Sequence, residues 1–363
     1  MFRPQLPPEQ LRSFVTAAEA AGLDDVWLWE DCFLEGGLTA AAAALAWTSS
    51  VRVGLGLMPV PFRNPALAAM ELATLARLFP GRFVPAAGHG VQAWMGQVGA
   101  RAASPMTLLR EWVPAVRSLL RGETVTTSGD YVKLDAVALD WPPETVPPLL
   151  VGARGPKTVA FAGAGADGMV LDVPIQPDEV RDVVAQARAS GPHEVVVYVL
   201  AGVVREPLEA ELRDNPRYSG GLLAAGSPTE VAGVVRAYAE AGATTVVLQP
   251  AEGDLAPEPL IGLAAEVRTL LTGASAPAPA TSFFVTRVRD DAFRDGLLVS
   301  GETLSGKIAV GQMLRDEVGR QTRVIQLEFL SPRDVRLGEV TFLVERTTPN
   351  PAVEGVVLTA LSG

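Results

Sequence analysis

The stretch Pro147-Pro148-Leu149-Leu150-Val151-Gly152-Ala153-Arg154-Gly155-Pro156-Lys157-Thr158 decides how this chain is read. An apolar strand runs out into a Gly-Ala-Arg-Gly turn, and Pro156 stands where a helix begins. Proline suits a first helical position, because that N–H has no intrahelical partner. The turn therefore presents free backbone amides, the positive end of a helix dipole and the cationic Arg154 and Lys157 to one spot. Such a spot suits an anion, above all a cofactor phosphate. An ordinary strand-to-helix turn with surface Arg and Lys has the same sequence, so the surroundings must decide.

Outward from this turn, short apolar strands alternate with amphipathic helices from Leu11 to about Leu271. Leu11, Phe14, Val15 and Ala18 share a helical face that stops at Gly22. Val26–Trp29 reads as a buried strand, Leu38–Thr48 as a helix and Val51–Met58 as a strand. Helix Pro65–Phe79, strand Phe83–Ala87 and a helix capped by Ser104-Pro105 follow, and then a hairpin of Thr124–Thr127 and Tyr131–Leu134. Beyond the opening turn come helix Pro156–Gly163, strand Met169–Leu171, helix Pro177–Ala189 and strand Val195–Leu200. Ser227-Pro228-Thr229-Glu230 is a capping box before a helix to Ala241. Strand Thr244–Leu248 and helix Pro259–Leu271 close the series. With Phe2–Gln5 as the end of a first strand, the count is eight units over about 270 residues, the expectation for a (β/α)8 TIM barrel. A doubly wound sheet is the runner-up, weakened because no Gly-x-Gly-x-x-Gly follows the first strand.

The chain's 363 residues, 48% of them hydrophobic, supply one large core and a second, smaller one. Its net charge of −11, with no basic stripe carrying interleaved aromatics, argues against nucleic acid as a partner. No apolar run approaches the roughly 18–20 residues of a membrane span, and no signal segment opens the chain. A single cysteine, Cys32, permits no internal disulfide and fits the cytoplasm. Two histidines, His89 and His193, without a ligand cluster, argue against a metal site.

In a TIM barrel the chemistry sits where the strands end. After Val26–Trp29 come Glu30, Asp31 and Cys32; after Phe83–Ala87 come Gly88-His89-Gly90-Val91-Gln92-Ala93-Trp94; after Met169–Leu171 comes Asp172. Glu30 and Asp31 read as a general acid pair, because adjacent carboxylates near a dry site push one pKa up, or as a solvated loop. His89 reads as a proton donor flanked by Gly88 and Gly90, which allow close backbone approach, or as a hydrogen-bonded loop residue. Trp29 and Trp94 line the pocket or fill the core, and Cys32 packs. Lys157 is within reach of a phosphate. The segment Gly56-Leu57-Met58-Pro59-Val60-Pro61 is too proline-rich for a regular strand and reads as a bulge.

Several of these segments carry a family resemblance. Trp27-Leu28-Trp29-Glu30-Asp31, Gly54-Leu55-Gly56-Leu57-Met58-Pro59, Phe79-Pro80-Gly81-Arg82-Phe83, Gly88-His89-Gly90, Ser104-Pro105-Met106, Gly152–Lys157 and Ala166-Asp167-Gly168 together resemble the luciferase-like oxidoreductases. Within these, the match is to the group that uses coenzyme F420. The resemblance implies a flavin-like ring at the strand ends, with its phosphate held by Gly152, Ala153, Arg154, Gly155 and Pro156. It places the ring on a bulge at Gly56, Leu57 and Met58, where relatives carry a non-prolyl cis peptide. The implied activity is hydride transfer between F420 and a small organic substrate. An FMN-dependent monooxygenase is the alternative, and a degenerate, non-catalytic binding barrel the second alternative. Two departures stand out. Relatives commonly show Asp-His where this chain has Glu30-Asp31. A sugar-phosphate dehydrogenase of the family uses that His and a Glu where this chain has Val91. The first strand is also short, which predicts a weak seam unless a partner chain, such as a second copy in a homodimer, covers it.

Residues 1–272 are thus expected to form the cofactor and catalytic barrel. Residues 273–282 are an Ala/Pro linker. Residues 283–363 are expected to be a small all-β barrel for docking or dimerisation, with strands at Phe283–Val288, Gly296–Ser300, Lys307–Val310, Thr322–Glu328, Glu339–Glu345 and Gly355–Thr359. Val299-Ser300-Gly301 with Gly306–Gln312 resembles the second, β-barrel domain of translational elongation factors, without a GTPase phosphate loop.

Overall fold

The structure is a computed structural model that describes residues 1–188, 193–215, 218, 220–254, 258–273, 282–291, 296–305, 308–316, 319–328, 339–347, 349–350 and 352–360. The expected linker, apart from its ends, and the Gly306-Lys307 pair lie outside these residues. Two compact units emerge: the larger holds Met1–Val15 and Leu23–Ala274, and the smaller includes Ser275–Gly363.

In the larger unit the strands are β1 (Asp25–Leu28), β2 (Arg52–Pro59), β3 (Phe83–Gly88), a hairpin of β4 (Val125–Ser128) and β5 (Lys133–Val137), β6 (Leu150–Gly152), β7 (Gly168–Leu171), β8 (Glu194–Gly202), β9 (Ala224–Ala225) and β10 (Thr245–Gln249). The helices are α1 (Leu11–Ala20), α2 (Gly37–Trp47), α3 (Pro65–Leu78), α4 (Gln92–Gln97), α5 (Pro105–Leu120), α6 (Pro156–Gly165), α7 (Pro177–Arg188), α8 (Glu206–Asp214), α9 (Pro228–Ala241) and α10 (Glu258–Thr272). The principal strands run in the order β1-β2-β3-β6-β7-β8-β10 and pair in parallel, with β9 beside β8. This is the TIM-barrel arrangement, with the strand ends facing one mouth.

The eighth position belongs to a two-residue stub. The Phe2 N–H donates to the Trp27 carbonyl of β1 at 3.0 Å. The Met1 amine donates to the Leu248 carbonyl of β10 at 3.0 Å. The short first strand thus appears as two backbone bonds spanning the seam. Phe2 is fully buried and packs on Phe14 with ring centroids 5.3 Å apart.

Inside the barrel, Trp27, Val84, Ala86, Leu150, Val170, Val196, Tyr198 and Val247 form one cluster. The Trp27 indole fits because its neighbour Gly54 has no side chain; a Cβ there would overlap the ring. Outside it, the helices start and stop where local chemistry dictates. Asn64 and Ser104 cap α3 and α5, and the Ser227–Glu230 capping box opens α9. Gly242, at φ 106°, ends α9 in the left-handed conformation that glycine adopts without strain. The structure adds α4 and α8, which are too short for a periodic signal.

The smaller unit is a closed antiparallel barrel. Its strands are β11 (Ser282–Asp291), β12 (Gly296–Ser305), β13 (Met313–Arg315), β14 (Gln321–Glu328), β15 (Glu339–Glu345) and β16 (Val357–Ala360). Phe283 and Phe342 meet edge-on at 4.7 Å among Val285, Val299, Leu314 and Val324. The strand expected at Lys307–Val310 is a correction: Ile308–Gln312 form a turn and the strand is β13. Ala309 N–H donates to Gln312 Oε1 at 3.0 Å and closes the turn, which meets β14 through the Gly311 N–H and the Gln312 carbonyl, both bonded to Val324.

Because Phe2 fills the seam, Phe2→Ala is expected to destabilise the barrel by about 3–5 kcal/mol in denaturant unfolding. A loss well below 1 kcal/mol would show that the seam does not depend on it.

Candidate active site at the barrel mouth

One cavity of about 470 Å³ opens among the carboxyl ends of the strands, within the usual range for small-molecule sites. Every principal strand exit contributes. Arg3 and Gln5 follow the stub, Trp29, Glu30 and Asp31 follow β1, and Gly56, Leu57 and Pro59 come from β2. His89, Gly90, Val91, Gln92 and Trp94 follow β3; Gly152, Arg154, Gly155 and Thr158 lie at the β6–α6 turn. Asp172, Tyr198, Tyr218 and Gln249 complete the wall.

The bulge lies in β2. Its register with β3 slips between Gly56 and Met58, and the Gly56–Leu57 peptide is cis. The Tyr198 hydroxyl donates to the Gly56 carbonyl at 2.8 Å from inside the barrel. Complete burial pushes the Tyr198 phenol well above its ordinary pKa, so it keeps the proton that it donates. Leu57 then lies over Gly88 and Gly152, where any Cβ would overlap its Cδ2 atom. The result is a convex apolar prop facing the cavity. Gly88, expected to touch a cofactor, instead lies off the cavity and makes room for Leu57. Met58 is likewise a correction: it is fully buried and turned into the core by the alternation of the strand. A second non-prolyl cis peptide joins Cys32 and Phe33.

At the turn that opened the sequence reading, Gly155 caps α6 without a side chain, and Thr158 is buried in its first turn. Gly152, Arg154, Gly155 and Thr158 face the cavity, whereas Ala153, Pro156 and Lys157 do not. Ala153 is buried with its N–H on the Val170 carbonyl, and Lys157 is exposed. Arg154 is held by Asp172 through two bonds, Nε to Oδ1 at 2.8 Å and Nη2 to Oδ2 at 2.7 Å.

The carboxylates after β1 take different partners. Both Glu30 oxygens accept from Arg63, at 2.8 and 2.9 Å, and Oε2 also accepts the Gly37 N–H at 3.0 Å. Glu30 is therefore a clamp between the β1 exit, Arg63 and the start of α2, which corrects its expected acid role. Asp31 Oδ2 accepts from the Trp29 indole at 2.9 Å. His89 Nε2 lies 3.4 Å from the Thr158 hydroxyl, and its Nδ1 is buried without a hydrogen-bond partner. Burial lowers the His89 pKa, against an opposite pull from the Pro105 backbone, and keeps the ring neutral near pH 7.

Arg3, Thr158, Tyr198, Tyr218 and Gln249 were not singled out from the sequence as site residues. Gln249 follows the strand expected at Thr244–Leu248 and was available to the same rule, whereas Arg3 was read as part of the first strand, Phe2–Gln5, and not as its exit. Tyr198, amid valines, carried the signal of a polar tip on a buried strand. Among the described residues no group of three or more His, Cys, Asp or Glu is placed to hold a metal, and no helix is long and apolar enough to cross a membrane.

The profile of the luciferase-like monooxygenase family matches residues 3–215. The chain is 29% identical over 236 residues to a 5,10-methylenetetrahydromethanopterin reductase of Methanolobus tindarius, covering 63% of this chain and 72% of that one. It is 28% identical over 298 residues to an F420-dependent glucose-6-phosphate dehydrogenase of Kineococcus radiotolerans, covering 67% and 87%. Among solved structures, the coenzyme F420-dependent tetrahydromethanopterin reductase of Methanopyrus kandleri superposes with a TM-score of 0.63 at 18% identity, covering 75% of this chain and 98% of that one.

Two outcomes are expected. Tyr198→Phe leaves the Gly56 carbonyl without its donor and costs about 1–3 kcal/mol in denaturant unfolding; no change would remove the phenol from the prop. For His89, the unfolded imidazole binds protons near pH 6.5 and the folded one only below that value. Its contribution is therefore complete above the unfolded pKa and is lost as pH falls through the folded one. His89→Gln should unfold with a shallower loss of stability between about pH 7 and 5 than the parent, and parallel profiles would count against a buried neutral ring.

Proposed function

We infer a function from one premise, that this chain belongs to the luciferase-like monooxygenase family, and propose that it is an F420-dependent oxidoreductase acting on a small organic substrate. The observation that carries this reading is the Leu57 prop facing a cavity that also contains the open N-terminus of α6. Relatives described as F420-dependent dehydrogenases support the choice of deazaflavin. When bound, such a cofactor supplies or accepts a hydride at a ring carbon.

The chain's own residues fit that group. Leu57 backs a planar ring, and Tyr198 holds the Gly56 carbonyl so that the prop does not shift. The first-turn amides of α6, with Gly155 and the Thr158 hydroxyl, hold a phosphate. Arg154 turns its guanidinium to that phosphate while Asp172 orients it. Trp29, Trp94 and Val91 keep water from the reacting face. His89, neutral and with Nδ1 unpartnered, takes or gives the proton that accompanies hydride transfer.

FMN is the second reading, in keeping with the family's description as luciferase-like monooxygenases, and its phosphate would use the same helix terminus. A degenerate barrel is the weaker reading, because Met58 does not fill the cavity. For the smaller unit we propose docking or homodimerisation, supported by exposed Val310 and Val353 on a barrel with its own core. Its likeness to the elongation-factor domain is supported at the level of a closed antiparallel barrel alone. For residence we propose the cytoplasm, on the ground that the sequence's single cysteine, Cys32, permits no internal disulfide.

Fluorescence titration with F420 and, separately, FMN tests this reading. Tight F420 binding, weakened about tenfold or more by Arg154→Ala, is expected. Preference for FMN would move the protein to the oxygen-using branch, and binding of neither would overturn the assignment.

A further inference from the structure

The cavity has two ends. With the Met1–Phe2 stub standing between β10 and β1, β6 is the fourth strand from the stub in either direction. The stub and β6 therefore face each other across the mouth. The α6 terminus, where the proposed cofactor phosphate lies, belongs to the β6 side. The opposite side is built by Arg3, Trp29, Tyr218 and Gln249.

That side contains a cation whose charge is already met. Arg3 Nη1 donates to both Glu211 oxygens, at 3.0 and 3.1 Å, and to the Pro250 carbonyl at 2.7 Å. The pair is buried, with side-chain exposures of 6% and 8%. The guanidinium also stands 5.3 Å from the Trp29 ring centroid. An incoming anion could take Arg3 only by leaving Glu211 buried and uncompensated, which is strongly unfavourable. Of the remaining polar groups there, Asp31, held by the Trp29 indole at 2.9 Å, adds a carboxylate that repels anions, and the rest are neutral. Tyr218 donates its hydroxyl proton to Glu211 Oε1 at 3.2 Å and accepts from the Gln249 amide at 3.2 Å. Gln249 is nearly buried, and a primary amide offers a further N–H and a carbonyl oxygen. Across the cavity, Arg154 is likewise matched by Asp172.

Resting on the oxidoreductase reading above, we propose that the stub side of the mouth is the substrate subsite and that it takes an uncharged organic compound, a ketone or the corresponding alcohol. Trp29 supplies an apolar wall and the Tyr218–Gln249 pair hydrogen-bonds the oxygen. Phosphorylated and carboxylated substrates are excluded by the Arg3–Glu211 pair. Arg3 acts here as a positioning residue, which stiffens Trp29 and cancels the Glu211 charge. Val91, which also lines this cavity, adds no charge.

Three compounds with one ring and three charges test this: cyclohexyl methyl ketone, cyclohexanecarboxylate and cyclohexyl phosphate. Each is titrated calorimetrically into the full, cofactor-free chain and again with F420 present. The ketone is expected to bind at least about tenfold more tightly than either anion. Glu211→Gln, which removes the carboxylate and keeps its shape, should strengthen cyclohexanecarboxylate binding by about tenfold while the ketone changes by less than about threefold. Anions binding as well as the ketone to the parent chain would overturn the proposal. So would no binding of the ketone, or a folded Glu211→Gln chain that still rejects the carboxylate. A ketone preference in a chain that does not bind F420 would sink the oxidoreductase reading while leaving the uncharged subsite standing.

Discussion

The mouth of this barrel depends on how one carbonyl is held. Gly56 turns its oxygen inward to the Tyr198 phenol, and that hydrogen bond fixes where the strand can bulge. A buried carbonyl without a donor costs about 1–3 kcal/mol, so the inward oxygen and the phenol require each other. Everything else at the bulge follows sterically. With the Gly56 carbonyl anchored, Leu57 must lie across β3 and β6, and only glycine at 88 and 152 leaves space beneath it. The glycines that look like a ligand cradle in the sequence are first a bed for one leucine. They serve a ligand at one remove, by letting that leucine stand proud of the strand ends.

Charge at the mouth obeys a similar economy of partners. Glu30 is matched by Arg63, Arg154 by Asp172, and Arg3 by Glu211. Matched pairs at this depth are not strong sources of stability, because desolvation offsets most of their attraction. Their consequence is specificity: each pair fixes a side chain in space, and the two buried pairs, Glu30–Arg63 and Arg3–Glu211, remove their charges from competition for ligands, whereas the half-exposed Arg154 meets Asp172 through Nε and Nη2 and keeps Nη1 for an anion. The helix terminus at Gly155 is the exception, since no side chain caps it and the positive end of the α6 dipole opens on the cavity. An anion is therefore directed to one end of the cavity by the backbone.

Much of this was legible beforehand. The alternation of strands and helices predicted the barrel because periodicity reports which faces are buried, and burial decides most of a large fold. The Ser227–Glu230 capping box was read from four residues because capping is a local interaction. The exits of the strands located the mouth. What stayed hidden were pairings across long separations. Glu30 looked like half of an acid pair because its neighbour in sequence is Asp31, yet its partner, Arg63, comes from the next strand's exit. Met58 looked like a mouth residue because the resemblance sets the ring on the whole Gly56–Met58 bulge, and no local rule says which residue of a bulge faces out. Tyr198 meets Gly56 across the barrel, a separation that periodicity does not report.

The stub ties fold closure to recognition. Met1 and Phe2 complete the ring of strands with two backbone bonds, and the next residue, Arg3, enters the mouth and meets Glu211. Only a short span separates a structural role from a functional one. Arg3 also donates to the Pro250 carbonyl, just beyond β10, so the guanidinium itself bridges the seam that the stub closes. The Arg3–Glu211 pair is therefore held in place by the closure of the barrel, and it helps hold the barrel closed. That mutual dependence explains how a buried ion pair of little net stability can persist at the edge of a cavity: it is a joint of the fold before it is a feature of the site.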